Sequence, residues 1–321
     1  MPQVEKRARN WLFTMSIAGE GGEHKLVSVS NLRGIIEPID HNESSRIDTI
    51  SLAAHFNVDN LTVREAPIMG CINEAAGNYL FEVEVDGDTV ARCRRLAGLG
   101  VRWEVTDNRE SDQLGTQKLW GHRAYPEVTL EGVIDWQDGW QLYKKIFTKL
   151  GEFTGPGPQF VRTLANCPYV FDVSITLRRN DGQDVARWTL HRAWPTNWQL
   201  SDLSADANEV ALESVTFRVA PLPGGQGITE DMLTQFSGGH LVSGAWYDWV
   251  AKAYDLPEKK DLILNIYHPG DQPGRDSPVG RLKLFNCWVS EITYSDFDAT
   301  ANEVATRDVT IVFEGVRAIK P

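Results

Sequence analysis

The sequence predicts a mainly β protein made of two copies of one β-rich module, each with a single short helix. Three observations carry that expectation. Apolar and polar residues alternate over many short stretches, those stretches resemble one another in pairs, and two isolated segments have helical rather than strand spacing.

The pairs begin near the N-terminus. Asn10-Trp-Leu-Phe-Thr-Met-Ser-Ile-Ala-Gly19 lines up with Asn78-Tyr-Leu-Phe-Glu-Val-Glu-Val-Asp-Gly87, and both read as an alternating strand closed by a glycine turn. A second strand follows each and runs to a glycine: Leu26-Val-Ser-Val-Ser-Asn-Leu-Arg-Gly34 and Val90-Ala-Arg-Cys-Arg-Arg-Leu-Ala-Gly98. Strand-like residues come next, Ile35 to Ile39 and Val101 to Thr106. Each is followed by a long polar stretch leading into Asn60-Leu-Thr-Val-Arg64 or Glu127-Val-Thr-Leu-Glu131.

The later halves repeat more clearly. Ala193 to Phe217 matches Cys287 to Ile311 without a gap, keeping Trp194 and Trp288, Ser201-Asp202 and Ser295-Asp296, an Ala-Asn-Glu-Val-Ala block and a closing Val-Thr. Upstream lie the helical segments. Asp138 to Leu150 places Trp140, Tyr143, Ile146 and Phe147 on one face, and Ser243 to Tyr254 does so with Trp246, Trp249, Val250 and Ala253. Both read as one core-facing helix of a mostly β domain.

The order first half, first half, second half, second half points to nesting. The simplest chain path places an inserted module, residues 78–222, within a split one formed by 8–70 and 241–317. Residues 223–240, opening on Pro223-Gly-Gly-Gln-Gly227, have the composition of a linker.

Bulk properties fit. A chain of 321 residues has room for two domains, and 42% hydrophobic with 24% charged residues is globular composition. The formal net charge of -12 is opposite in sign to what gripping phosphates requires. Cys71, Cys93, Cys167 and Cys287 form no CxxC pair, so neither a metal site nor a disulfide framework is expected. The basic residues near Met1 have no apolar stretch behind them, so no secretory signal is expected and the chain should fold in a reducing cytoplasm.

Chemistry-bearing patterns are few. Gly19 to Gly22, Gly155 to Gly157 and Gly224 to Gly227 lack the strand–loop–helix setting and the Lys-Ser/Thr of a phosphate cradle, and read as turns. His24, His41, His55, His122, His191, His240 and His268 show no ligand spacing. No nucleophile elbow or Cys–His arrangement is present. No enzyme activity, cofactor or metal is expected.

Asn78 to Gly100, together with Trp188-Thr-Leu-His-Arg-Ala-Trp-Pro-Thr-Asn-Trp198 and Ala205-Asp-Ala-Asn-Glu-Val-Ala-Leu-Glu213, resembles the tail-tube proteins of contractile-tailed phages and phage-like injection systems. The split module matches less well, with Val289 in place of the proline and Thr306-Arg307 in place of Leu-Glu. The resemblance implies β-sandwich or half-barrel modules, each with a flanking helix, that join edge to edge into a ring. It marks Trp194, Pro195, Asn208 and Glu209, with Trp288, Asn302 and Glu303, as the module signature. It also implies that the long loops, Asp107 to Tyr125 and Asp40 to Asn57, reach the next ring. Asp107, Arg109, Glu110, Leu119, Trp120, His122 and Arg123 would serve in one, and Asp40 and Arg46 in the other.

As to function, the resemblance implies a subunit of a tail tube, in trimeric or hexameric rings stacked around a channel for DNA or effectors. The partners would be neighbouring rings, sheath and baseplate, with no membrane. The particle tail would be its location after assembly in the host cytoplasm. An initiator or baseplate–tube adaptor ring of the same machine is the alternative. A soluble glycan-binding β-sandwich, using Trp136, Trp140 or Trp246 as stacking platforms, is a third reading.

Overall fold

The computed structural model describes residues 12–20, 22–26, 28–30, 34–37, 55–58, 60–65, 80–108, 117–133, 170–178, 184–201, 212–220, 227–232, 244–268, 271–273, 275–298 and 306–320. They form two large antiparallel sheets, a separate two-stranded ribbon and a short helix. The fold is mainly β, as the alternation requires.

The second sheet in chain order shows the architecture most simply. Its strands are β7 (Leu80–Val85), β8 (Asp88–Ala97), β11 (Val128–Val133), β12 (Phe171–Arg178), β13 (Asp184–Leu200), β14 (Leu212–Val219) and β15 (Ile228–Met232). Following the ladders from β7 through β8, β11, β14, β13 and β12 leads back to β7, so the sheet closes into a barrel. β15 lies within the stretch read as a linker and pairs with the first part of β13. The β7–β8 turn is Asp86-Gly87, with φ of 52° and 83°. Two positive φ values match the turn to the twist of the strands, which is why Asp-Gly stands there.

The first sheet has the same plan. It contains β1 (Leu12–Ile17), β2 (His24–Leu26), β3 (Ser28–Ser30), β6 (Leu61–Glu65), β16 (Lys260–Tyr267), β17 (Gly280–Tyr294), β19 (Arg307–Val312) and β20 (Gly315–Ile319). The ladder order runs from β2 through β1, β16, β17, β19 and β6 to β3, and β2 and β3 are consecutive in the chain, so this sheet too comes round on itself. β4 (Gly34–Glu37) and β5 (His55–Val58) form the separate ribbon.

The registers correspond position by position. Val83 faces Ile175 as Met15 faces Leu264. Trp198 faces Val215 as Ile292 faces Val309, with a bulge at the same place in each ladder. The bulge residues Thr196 and Ser290 both donate to the carbonyl opposite, Thr216 O at 3.3 Å and Thr310 O at 3.2 Å. Ser201 and Ser295 both accept from the start of the next strand, at 2.9 Å from Leu212 N and from Thr306 N. In the second strand of each barrel, Leu96 pairs with Leu130 as Val29 pairs with Val63.

Helix α1 (Gly244–Ala251) continues into a 3-10 turn, Lys252–Tyr254, and buries Trp246, Trp249, Val250 and Ala253 as its spacing predicts. Trp249 Nε1 donates to Glu258 O at 2.8 Å, which tethers the helix to the chain leaving it. The helical segment 138–150 lies outside the described residues. No helix among the described residues is long and apolar enough to cross a membrane.

Alternation fills each barrel. Val83, Val85, Val128, Leu130, Val173 and Ile175 are fully buried in one, and Met15, Leu61, Val63, Leu262 and Leu284 in the other. Cys93 and Cys287 are buried among them as free thiols. Burial, with the nearby charges of Glu213 and Glu131, pushes the Cys93 thiol up to about 12, and burial pushes Cys287 up as well. Two outcomes are expected. Ile175→Ala and Leu264→Ala, at corresponding positions, should each lower stability by about 2–5 kcal/mol in urea titrations. Cys93 and Cys287 should resist alkylation at pH 8 in the native protein and react once it is unfolded.

Candidate functional site

The place where the chain does something beyond closing two barrels is the seam between them. β8 belongs to the second barrel, but after Gly98-Leu99 the chain continues as β9 (Gly100–Asn108), which leaves it. β9 adds to the first barrel, pairing Gly100 with Thr293, Val101 with Ile292 and Arg102 with Glu291 on β17. The exchange is mutual. β17 continues into β18 (Phe297–Asp298), which pairs with β8 through Phe297–Leu96 and Asp298–Arg95. Hydrogen bonding thus runs across the seam in both directions. Gly100 is required there, because a Cβ at that position would lie 2.4 Å from Ile292 O.

A second set of contacts holds the hairpin of β9 and β10 (Gln117–Ala124) over the end of α1. Trp103 Nε1 donates to Ala253 O at 2.7 Å. Arg123 Nη1 donates to Tyr254 O at 2.6 Å and Asp255 O at 2.7 Å, and Tyr125 OH donates to Tyr254 O at 2.9 Å. The final carbonyls of a helical segment have no partner within it, and a guanidinium satisfies them with favourable charge. The same guanidinium sits over the rings of Trp103 and Tyr125, at 5.4 and 5.3 Å.

The third set is a buried ion pair. The side chains of Arg307 on β19 and Glu230 on β15 are 0% and 2% exposed, and Arg307 Nη1 donates to Glu230 Oε1 at 3.0 Å. Tyr294 OH donates to the same oxygen at 2.5 Å. Arg307 also lies 4.8 Å from the centre of the Tyr247 ring. Burial, against the opposing pull of Arg307 and with the charge of Glu230, holds the Tyr294 phenol well above its ordinary range, so it stays a donor. Aromatic rings from both barrels cluster beside Tyr294. Trp188 packs on Tyr294 at 5.6 Å and on Phe297 at 5.5 Å, and Phe81 meets Phe297 at 5.6 Å.

The residues singled out from sequence fall into three groups. Trp120 and Arg123 belong to this seam. Residues 117–124, read as part of a polar loop, form strand β10, and Trp120 packs edge-on to the fully buried Trp288 at 5.7 Å. Leu119 and His122 are exposed, and Asp107 makes an ion pair with Lys118 at 2.6 Å. Trp194 and Pro195 sit part-exposed on β13 at its bulge. Asp40, Arg46, Arg109, Glu110, Asn208, Glu209, Asn302 and Glu303 lie outside the described residues. Among the described residues no group of three or more His, Cys, Asp or Glu is placed to hold a metal.

The sequence profile of the family described as T4-like virus tail tube protein gp19 matches residues 77–221 and 235–317, more than half of the chain. The chain belongs to that tail-tube family. Several solved structures match about half of the chain at low identity. A chain of the anti-feeding prophage tube-terminating cap is 18% identical, with a TM-score of 0.36, and covers 50% of this chain and 93% of its own length. One from the sheath–tube complex of an extracellular contractile injection system is 15% identical, with a TM-score of 0.37, covering 51% and 97%. Hcp1 from Flavobacterium johnsoniae is 10% identical, with a TM-score of 0.26, covering 50% and 96%. No curated protein sequence matches the chain.

For a tail-tube family member, the parts of the seam that sequence reading missed are Gly100, Glu230 and Arg307. Glu230 lies in no motif and Arg307 stood out only as a departure from Leu-Glu in the repeat; the two are far apart in sequence, so only the fold pairs them. Removing one partner leaves a buried charge uncompensated. Glu230→Gln and Arg307→Met should each cost about 3–5 kcal/mol. The double substitution should recover much of that loss in a thermodynamic cycle. Gly100→Val should abolish hydrogen-exchange protection at those amides that bond across the β9–β17 ladder, while the amides of 291–293 that bond to β19 stay protected.

Proposed function

We propose that the chain is a non-catalytic structural subunit of a tail tube. Three chains would close a ring of six modules around a central channel, and the rings would stack. In this reading the two barrels are two tube-type modules, residues 78–222 inserted within a split module of 8–70 and 241–317, with β15 added from the following stretch.

The observation that carries the proposal is the ladder between the barrels. A family of tube proteins must join like subunits side by side, and this chain contains one such joint between two barrels of the same plan. Pairing strand edges between neighbours also removes the exposed edges that a lone barrel would present. A chain that supplies two like units suits a ring of half as many chains. The stretches between β9 and β10 and between β4 and β5 would reach the next ring. DNA or effector would pass through the lumen without specific binding, for which a net charge of -12 is suited. The particle tail is the proposed location, with assembly in the host bacterial cytoplasm and with sheath and baseplate proteins as partners.

A second reading, a one-ring initiator or baseplate–tube adaptor, is favoured by the difference between the two barrels. Such a ring would alternate two kinds of joint and present three-fold symmetry to one neighbour and six-fold to the other. Negative-stain electron microscopy of the purified protein should give rings or tubes with a central channel and six lobes. A monodisperse single chain at high concentration would overturn the proposal. Copy number in intact particles separates the two roles: scores of copies for the tube, three for an adaptor.

A further inference from the structure

The two barrels are closed at very different ranges along the chain. The second barrel's circuit of β7, β8, β11, β14, β13 and β12 lies within one continuous stretch, and among the described residues only β18 joins that sheet from outside it. Across its closing ladders Glu82 meets Arg178, 96 residues on, and Thr129 meets Thr216, 87 residues on. The first barrel closes through β1–β16 and β6–β19. There Asn265 donates to Thr14 Oγ1, 251 residues back, and Thr62 meets Thr310, 248 residues on.

Before those long-range ladders form, the first barrel has no enclosed interior. Met15, Leu61 and Val63 precede the second barrel in the chain, and Leu262, Leu284 and Val309 follow it. Among the described residues, β1 without β16 keeps only β2 beside it, and β6 without β19 keeps only β3. Two-stranded pieces are marginal in water. Drawing their partners in across a long open loop adds a closure entropy that grows with loop length.

The geometry of the second barrel removes most of that opposition. In one row across it, Phe81 pairs with Leu177, Leu177 with Ala186, and Ala186 with Met232. Phe81 stands where the chain enters the barrel and Met232 where β15 ends. Neighbouring strands lie about 4.8 Å apart, so three steps along the row put the two residues within about 15 Å. Once folded, the barrel acts as a clamp that replaces a long coil by a short fixed span. Closely placed ends are also what lets one folded unit interrupt another.

We propose that the second barrel forms first and is the clamp on which the first barrel closes, so that the seam is completed last. β9 and β15 are supplied by the early stretch, and β17 and β19 by the late one. The Gly100–Thr293 ladder and the Glu230–Arg307 pair each need one member from both. The seam is therefore a built-in mark of completion. A chain in which only the second barrel has formed holds one half of every seam contact and cannot present two joined barrels. This order is a property of the single chain and stands apart from the formation of rings.

The test is hydrogen exchange read by mass spectrometry on the full chain. Leu264→Ala, in the first barrel, should lower protection of the β1–β16, β6–β19 and β9–β17 ladders at least about tenfold and leave the β7–β12 ladder unchanged. Ile175→Ala, at the corresponding position of the second barrel, should lower protection in both barrels together. Equal loss in both barrels from Leu264→Ala would overturn the proposal, as would loss confined to the second barrel from Ile175→Ala. Pulse labelling during refolding of the unsubstituted chain decides the order without any variant. The β7–β12 amides should become protected in an earlier phase than those of β1–β16 and β9–β17. Protection gained in a single phase, or first in β1–β16, would overturn it.

Discussion

The seam between the barrels depends on one close approach of main chains, that of Gly100 to Ile292. With no side chain at Gly100, β9 comes near enough to β17 to make a ladder, and the remaining contacts are built around that ladder. Once β9 is in place, β10 lies over the end of α1, Arg123 and Tyr125 reach the last carbonyls of the helical segment, and Trp120 covers Trp288. A bulkier residue at Gly100 would displace all of these together, because they hang on one hairpin.

The buried Arg307–Glu230 pair plays a different part. An ion pair of this kind adds little net stability compared with apolar residues of similar size, since both charges lose their hydration. What it does is penalise any arrangement in which one member meets the wrong partner. Glu230 comes from β15 and Arg307 from β19, so the pair is complete only when these two barrels face each other in this orientation. A tube built from repeated joints needs that discrimination, because a ladder by itself accepts many registers and many partners.

Much of the fold was legible in the sequence, and the limits were physical. The gapless match of Ala193–Phe217 with Cys287–Ile311 reappears as identical registers, bulges and serine contacts, since strand pairing repeats wherever the alternation does. The helix at 244–251 was marked by four apolar residues on one face. Trp120 stood out as a large anchor within a polar stretch. Its contact, Trp288 on β17, is far away in sequence, and no local pattern announces a partner so distant. Glu230 gave no signal, and Arg307 showed only as a departure from the repeat, both being ordinary charges until the fold removes them from water.

If the unit repeated within the chain is also repeated between chains, as proposed, the ring must close after a definite number of copies. The mass of an isolated ring reports that number directly. Native mass spectrometry of single rings should give three chains of 36.0 kDa. A ring of six chains would contradict the account, because the two barrels of one chain would then not stand as neighbours in its wall.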